Sequence, residues 1–511
     1  MSRGISIGVV GGGAAAVCLI DALARSASEP GRLTVFEPSP HLWRGRAYQV
    51  DSEILRVNST PDDMSVRAGD SGHFTRWLEA RDRITGIAQG VDRLSGARFP
   101  PRTVYGEYLE QTAHEALRGL RRDGWRVDII GGAVTAADRM PGQVLLHTRR
   151  GRTRAFDYVV LNVGGDGPKD MYGLTGTPGF IADPYPVAGK LQDIDVHDEV
   201  AVIGSGLTAV DVVLALAAEG HRGRISLLSR RGVLPGVRQR PASLPLRHLV
   251  PQRVAELALN RGGVSIEDLA AVLRAEFRDA GADLDTVVHD MLRVDLEEPV
   301  DRLRRQIDEV DSPNMGLRIL QRAVPETGPD IWPLLREEQK VQLLRAHYRT
   351  IMSLCCPMPP SSASVLLDLV RSDQLEIFSG LQDITPAADA GFDIVTADGT
   401  QFHADRVVNA VNASEGRIPR DAQPLVTSLI HTRAASRHPH GGVQLARATS
   451  RLTRNGCPDP RLYGLGNIAA GALFFTFGIP SLVDRSQDIV AAIREHAETV
   501  GHARGDAESA A

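Results

Sequence analysis

The sequence predicts an α/β protein with two Rossmann-like dinucleotide-binding units and a helical insertion. Three observations carry that prediction. The apolar run Ile5 to Val10 ends in Gly11, Gly13 and Ala16, a G-x-G-x-x-A turn at the start of a helix. The pattern returns at Glu199 to Asp211, with Gly204, Gly206 and Ala209. A late strand, Pro460 to Gly464, ends in Gly464-Leu-Gly-Asn467.

In such a turn the first glycine allows the tight bend, and the second lets backbone N–H groups approach a pyrophosphate. The small third residue lets the new helix pack on its strand. The helix also directs its positive dipole end at the phosphates. Glu37 closes the next strand of the first unit, where a carboxylate accepts hydrogen bonds from a ribose diol. Arg230 follows Gly204 by the same 26 positions that separate Glu37 from Gly11. The register that is acidic in the first unit is therefore basic in the second, and Arg231 doubles it. An arginine pair there suits the 2′-phosphate of NADP, and the acid suits an unphosphorylated ribose.

Composition narrows the class. With 511 residues the chain is long enough for two or three domains, and 42% hydrophobic with 24% charged residues is ordinary for a water-soluble globular protein. A net charge of −5 gives no reason to expect nucleic acid or an anionic membrane as partner. Four cysteines are no disulfide framework, no apolar run reaches transmembrane length, and strand one starts too early for a signal peptide. The expectation is a cytoplasmic protein.

Between the two turns the pattern gives a loop with Arg44 and Arg46, a helix from His73 to Ala80 and another from Tyr105 to Leu117. Strands Arg126–Ile130 and Val144–Thr148 are expected as a hairpin closed by Pro141-Gly142, followed by the buried strand Tyr158–Gly165. Pro168 to Pro186 has the composition of a linker. Residues 241–354 are helical, with a capping box at Ser265-Ile-Glu-Asp268 and an apolar face of Val300, Leu303, Ile307 and Val310. This insertion either covers the second unit or walls a substrate pocket. Strands return at 375–378, 392–396 and 406–411, a last helix runs from Ser481 to His496, and 501–511 is expected as a disordered tail. The domain expectation is 1–190, then 191–380, then a return to the first unit over 381–500.

The stretches Gly45-Arg-Ala-Tyr48, Leu55-Arg-Val-Asn58, Met64-Ser65, Phe74-Thr-Arg-Trp77, Pro101-Arg102 and Tyr105-Gly-Glu-Tyr108 resemble one family. So do Gly204-Ser-Gly-Leu-Thr-Ala-Val-Asp211 and the block from Ile331-Trp-Pro-Leu-Leu335 to Pro359-Pro360. It is the group of two-dinucleotide flavoproteins that includes flavin-dependent amino-acid N-monooxygenases (aspartate N-oxygenase, or nitrosuccinate synthase, types). The resemblance implies an FAD domain interrupted by an NADPH domain. It implies FAD contacts from Gly11, Gly13, Ala14, Ala15, Glu37, Arg46, Asn58, Met64, Arg102, Gly466 and Asn467, with Tyr105 close by. It implies NADPH contacts from Gly204, Ser205, Gly206, Leu207, Thr208, Arg230 and Arg231.

The activity implied is NADPH-dependent monooxygenation of a nitrogen, through a C4a-hydroperoxyflavin, in a biosynthetic pathway. The partners are then O2 and a small amine or amino acid; a homo-oligomer is compatible with the sequence. No catalytic side chain is implied, because the flavin carries the chemistry.

The sequence departs from the pattern at three places. Asn467 stands where the superfamily usually has Asp. Phe474-Phe-Thr-Phe477 replaces a more polar run. Met352 to Pro357 occupies a stretch where relatives tend to carry basic residues, so the resemblance alone does not imply an anionic substrate. Two other readings stand beside this one: an oxidase or reductase on the same two sites, and a nucleotide-binding protein with one decayed site. His431, His438 and His440 match no metal spacing, and Asp211 reads as a structural partner.

Overall fold

The computed structural model describes residues 4–26, 29–165, 167–294, 296–411 and 418–509. Each glycine turn sits in a strand-helix-strand unit. In the first, β1 (Ser6–Val10), α1 (Ala14–Ser26) and β2 (Arg32–Phe36) pair in parallel register from Ser6 with Arg32 to Val10 with Phe36. In the second, β3 (Val200–Ile203), α2 (Leu207–Ala218) and β4 (Ile225–Leu228) do the same. All five residues of β1 and all four of β3 and of β4 are buried, as strands covered on both faces must be.

The first sheet has six strands, in the order 451–454, 457–464, 158–161, β1, β2, 126–130. The second has five, in the order 375–378, β4, β3, 406–409, 180–181. Between 126–130 and 158–161 the first unit carries a three-stranded antiparallel meander over 134–156. The second carries one over 381–404, between 375–378 and 406–409. The two units thus repeat each other from the strand before the glycine turn to the strand after the meander, and differ beyond that strand at the sheet edge.

This repeat corrects three expectations. Arg126–Ile130 is no hairpin partner of Val144–Thr148: it extends the main sheet beside β2, and the hairpin across Pro141-Gly142 uses the strand Val134–Met140. The return to the first unit does not begin at 381, because Arg406–Asn409 pairs in parallel with β3 and the meander before it belongs to the second unit. Phe180–Ile181, inside the stretch with linker composition, is already the edge strand of the second sheet. Helices run past their expected ends as well: 73–85, 102–122 and 479–509. The last includes 501–509, expected as a disordered tail; Gly501 and Gly505 cost a helix only about 1 kcal/mol each. The stretch Asn412–Gly416 lies outside the described residues.

The helical insertion divides its packing. Helix Pro299–Asp308 joins the core of the second unit through Leu303, as does Val310 just past its end, with Val300 and Ile307 packed against that core. The capping box forms as expected, the Ser265 side chain accepting from the Asp268 N–H and Asp268 returning a bond to the Ser265 N–H. The rest builds a core around Val254, Phe277, Ile319 and Trp332, which includes Phe474 and Phe475 of the late segment. The insertion therefore covers the end of the first unit more than the second.

Charged struts hold the units together. Arg102 begins the helix Arg102–Arg122 and reaches Asp211 on α2, with Nη1 2.6 Å from Oδ2 and Nη2 3.1 Å from Oδ1. Its Nε donates to the Arg56 carbonyl (2.9 Å), and Tyr185 Oη also donates to Asp211. The two side chains are only 14% and 7% exposed. Arg46 makes a more exposed pair with Asp183 (2.7 Å), its guanidinium over the Tyr185 ring.

Removing one member of a buried pair strands the other charge, at about 3–5 kcal/mol, whereas an exposed pair contributes under about 1 kcal/mol. Arg102→Ala is expected to lower stability to urea by the larger amount and Arg46→Ala by the smaller. Trp332→Ala, which empties a buried site, is expected to cost about 3–5 kcal/mol. Hydrogen exchange should show its loss of protection concentrated in the insertion and in residues 470–478, with β1 unchanged.

Candidate functional site

The two glycine turns are built alike. Gly11 has φ +102°, and a Cβ there would lie 2.4 Å from the Asn162 carbonyl oxygen. Gly204 has φ +118°, and a Cβ there would lie 2.8 Å from the Ala410 carbonyl oxygen. Asn162 and Ala410 are the residues just past the neighbouring strands. The Gly11 N–H donates to Phe36 O (2.9 Å) and the Gly204 N–H to Leu228 O (2.7 Å). Each turn is thus pressed against the mouth of its sheet, at the carboxyl ends of the strands where open α/β sheets bind ligands.

At the first turn, Gly13 faces Gly45 across a narrow gap: a Cβ on Gly13 would stand 3.6 Å from the Gly45 Cα. Larger side chains at either position would fill the space over the start of α1. Glu37 lies beside the turn, Oε2 accepting from the Gly12 N–H (2.7 Å) and Oε1 from the Ser39 N–H (2.8 Å). An ionised carboxylate has about four acceptor sites, so each oxygen keeps a lone pair for a ribose hydroxyl. Asn162, 6% exposed, has both side-chain polar atoms buried with no hydrogen-bond partner among the described residues. Such atoms are costly unless a ligand satisfies them. Nothing in the sequence singles out Asn162, since a polar residue past a buried strand carries no motif.

The late segment returns to this point. Gly466 (φ +79°) packs beside Ala15, whose Cβ would be 3.9 Å from a Cβ at 466, and the Leu465 N–H donates to Leu161 O (3.0 Å). Asn467 Nδ2 reaches toward the Gly164 carbonyl (3.4 Å). Gly11, Gly13, Ala14, Ala15, Glu37, Gly466 and Asn467 therefore gather at one place, joined by Gly45 and Asn162.

The other residues expected there do not. Arg102 is the interdomain strut to Asp211, because a helix-start arginine beside a buried aspartate gains more from a bidentate pair than from an open site. Arg46 pairs with Asp183 at the junction. Met64 is buried in the first core, with its carbonyl taking the Tyr105 hydroxyl (2.9 Å). Tyr105 is itself fully buried, and burial pushes its phenol well above the usual range. Asn58 lends its carbonyl to Arg238 (2.7 Å).

At the second turn, Gly206 caps α2, and Leu207 and Thr208 form its first turn. Ser205 turns inward, its Oγ donating to Val233 O (2.7 Å). Arg230 and Arg231 stand exposed just past β4.

Beyond Asn467, residue Phe474 sits at φ +62°, ψ −77°, and the Phe475 N–H donates to Leu473 O (2.8 Å). This is a positive-φ γ-turn, a rare and strained conformation for a bulky residue. Trp332 of the insertion stacks on the Phe474 ring (4.7 Å, 23°) and donates its indole N–H to the Gly471 carbonyl (3.0 Å). His440 and His438 line the same cluster; His440 pairs with Glu337 (2.5 Å), and burial with the nearby His440 and Lys340 pulls His438 down to about 4. Among the described residues no three His, Cys, Asp or Glu side chains come together as a metal site. No described helix is long and apolar enough to cross a membrane.

Residues 8–166 match a family described as FAD-NAD(P)-binding. No curated protein matches the chain by sequence. The whole chain is similar in fold to a cadaverine monooxygenase of the desferrioxamine pathway from Erwinia amylovora, solved with FAD bound (TM-score 0.58, 12% identity, 96% of this chain and 95% of that one). It is similar also to an ornithine hydroxylase from Pseudomonas aeruginosa (0.57, 14%, 97% and 100%). A third is an ornithine N-hydroxylase from Kutzneria sp. 744, solved with reduced FAD, NADP+ and L-ornithine (0.55, 15%, 97% and 100%). The chain therefore shares the fold of these FAD-dependent monooxygenases and hydroxylases, and its match to an FAD-NAD(P)-binding family lies over residues 8–166.

Proposed function

We propose that this protein is an FAD- and NADPH-dependent monooxygenase that oxygenates a nitrogen of a small amine or amino acid. The observation that carries the reading is the pair of like-built turns with opposite charge at one register, Glu37 in the first unit and Arg230 in the second. A bound FAD would supply the redox chemistry, with NADPH as the hydride donor and O2 as the oxidant, one oxygen atom going to the amine and the other to water. The structural neighbours that hydroxylate ornithine or oxygenate cadaverine support the nitrogen as acceptor.

The chain's own work is binding, orientation and exclusion of water. The backbone N–H groups at Gly11 to Ala15 and the start of α1 receive the FAD pyrophosphate, and Glu37 holds its ribose. Asn162 offers the orphaned amide, a donor and an acceptor together, to the cofactor. Gly466 and Asn467 complete the cradle, the Asn supplying an amide N–H where a carboxylate would only accept. Gly204 to Thr208 receive the NADPH pyrophosphate, and Arg230 with Arg231 the 2′-phosphate. The Trp332–Phe474 stack roofs the late segment with apolar surface, which keeps water from a reactive oxygen species.

Reduction of the yellow protein by NADPH without air, then oxygen with an amine panel, tests the reading. Substrate-dependent hydroxylamine formed in proportion to NADPH supports it. Hydrogen peroxide in full yield with every amine would identify an oxidase or reductase, and a colourless protein would remove the flavin altogether. Replacing Arg230 by Ser removes a charge-assisted contact worth about 1.5–3 kcal/mol. The KM for NADPH is expected to rise about tenfold or more, with that for NADH unchanged, in steady-state flavin reduction.

A further inference from the structure

Among the described residues Arg46, Arg102, Arg238 and Arg240 reach across the junction between the two glycine-turn units, and three of these four are neutralised. Arg46 pairs with Asp183 and Arg102 with Asp211. Arg240 donates to the Ser95 and Leu94 carbonyls (2.6 and 3.0 Å) and pairs with Asp311 (2.5 Å). Arg238 is the fourth. It leaves the second unit on the segment after β4, its N–H donating to Met358 O (3.0 Å), and its Nε donates to the Asn58 carbonyl of the first unit (2.7 Å). Its Nη1 and Nη2 have no acceptor and no carboxylate partner among the described residues. Asp63 and Cys356 are the titratable groups that act on it, and neither makes an ion pair with it. Burial pulls the guanidinium below its usual range. Yet the side chain is half-buried, so the two free nitrogens are reachable.

An unpaired cation withdrawn from water is costly, and it is tolerated where an anion completes it. With Nε committed, Nη1 and Nη2 form a planar two-donor fork, which matches the two oxygens of a carboxylate or phosphate. In the reading above the phosphates of NADPH are already assigned to Gly204 to Thr208 and Arg230. Arg238 instead is tied to Asn58 in the loop that leads to Met64 of the first unit. We propose that Arg238 forms an anion subsite at the domain junction that receives a carboxylate of the substrate. The inference rests on the monooxygenase reading, and it returns a positive charge to the Met352–Pro357 neighbourhood from the facing segment.

Calorimetric titration of the full chain with acetate, succinate, glutarate and NADP+ tests this. At least one carboxylate is expected to bind the unaltered protein. Arg238→Gln should weaken that carboxylate tenfold or more, and Arg238→Lys, which keeps the charge and loses the fork, by a smaller factor. NADP+ affinity should stay within twofold in both. The proposal is overturned if no carboxylate binds, if Arg238→Gln leaves its affinity unchanged while only lowering the melting temperature, or if NADP+ weakens in parallel, which would assign the anion to the cofactor. Flavin content and NADPH reduction are read on the same preparations. A colourless protein with Arg238-dependent carboxylate binding would sink the monooxygenase reading and keep the subsite; a reducible flavin without such binding would do the reverse.

Discussion

A glycine wedged beneath the carbonyl of the adjacent strand is the constraint on which both halves of the molecule depend. Gly11 under Asn162 and Gly204 under Ala410 leave no room for a Cβ, so each chain must turn sharply as it leaves the sheet. That turn aims the first N–H groups of α1 and α2 out of the sheet mouth, where they have no partners in the helix. The rest of each site is arranged around these helix starts. Glu37 stands beside the first and Arg230 just past the strand after the second, and Gly45, Asn162 and Gly466 close in on the first.

The sequence makes the turns legible because their requirement is steric and local: small residues at fixed spacing after an apolar run. The opposite charges at Glu37 and Arg230 are legible for the same reason, since register after a turn is counted along the chain. What escapes is decided by pairing between distant segments. Val134–Met140 lacks a clean alternating pattern, so its pairing with Gln143–Thr148 has no local signal, and the meander at 381–404 belongs to the second unit through the distant pairing of Arg406–Asn409 with β3. Arg102 and Arg46 sit in family-like motifs, yet their partners Asp211 and Asp183 come from the other unit. Asn162 gives no signal at all, because its meaning lies in what its amide fails to touch.

The helical insertion shows how one segment can serve two masters. Leu303 commits it to the second unit, while Trp332 and Phe277 commit it to the last segment of the first. The γ-turn at Phe474 would not persist on its own; stacking on Trp332 and the bond from its indole to Gly471 hold it. A strained turn after Asn467 is thereby tied to a helix that lies more than a hundred residues earlier in the chain.

The paired arginines at the junction have a mechanical consequence. Any rotation of the second unit against the first must pull Arg102 from Asp211, and both groups are too deep for water to take over their hydrogen bonds. Such a hinge is stiff over the small angles at which other two-domain enzymes open and close. Under the monooxygenase reading proposed above, hydride delivery would then rest on travel of the nicotinamide ring between the two units, a swing of a small tethered group in place of a movement of half the protein.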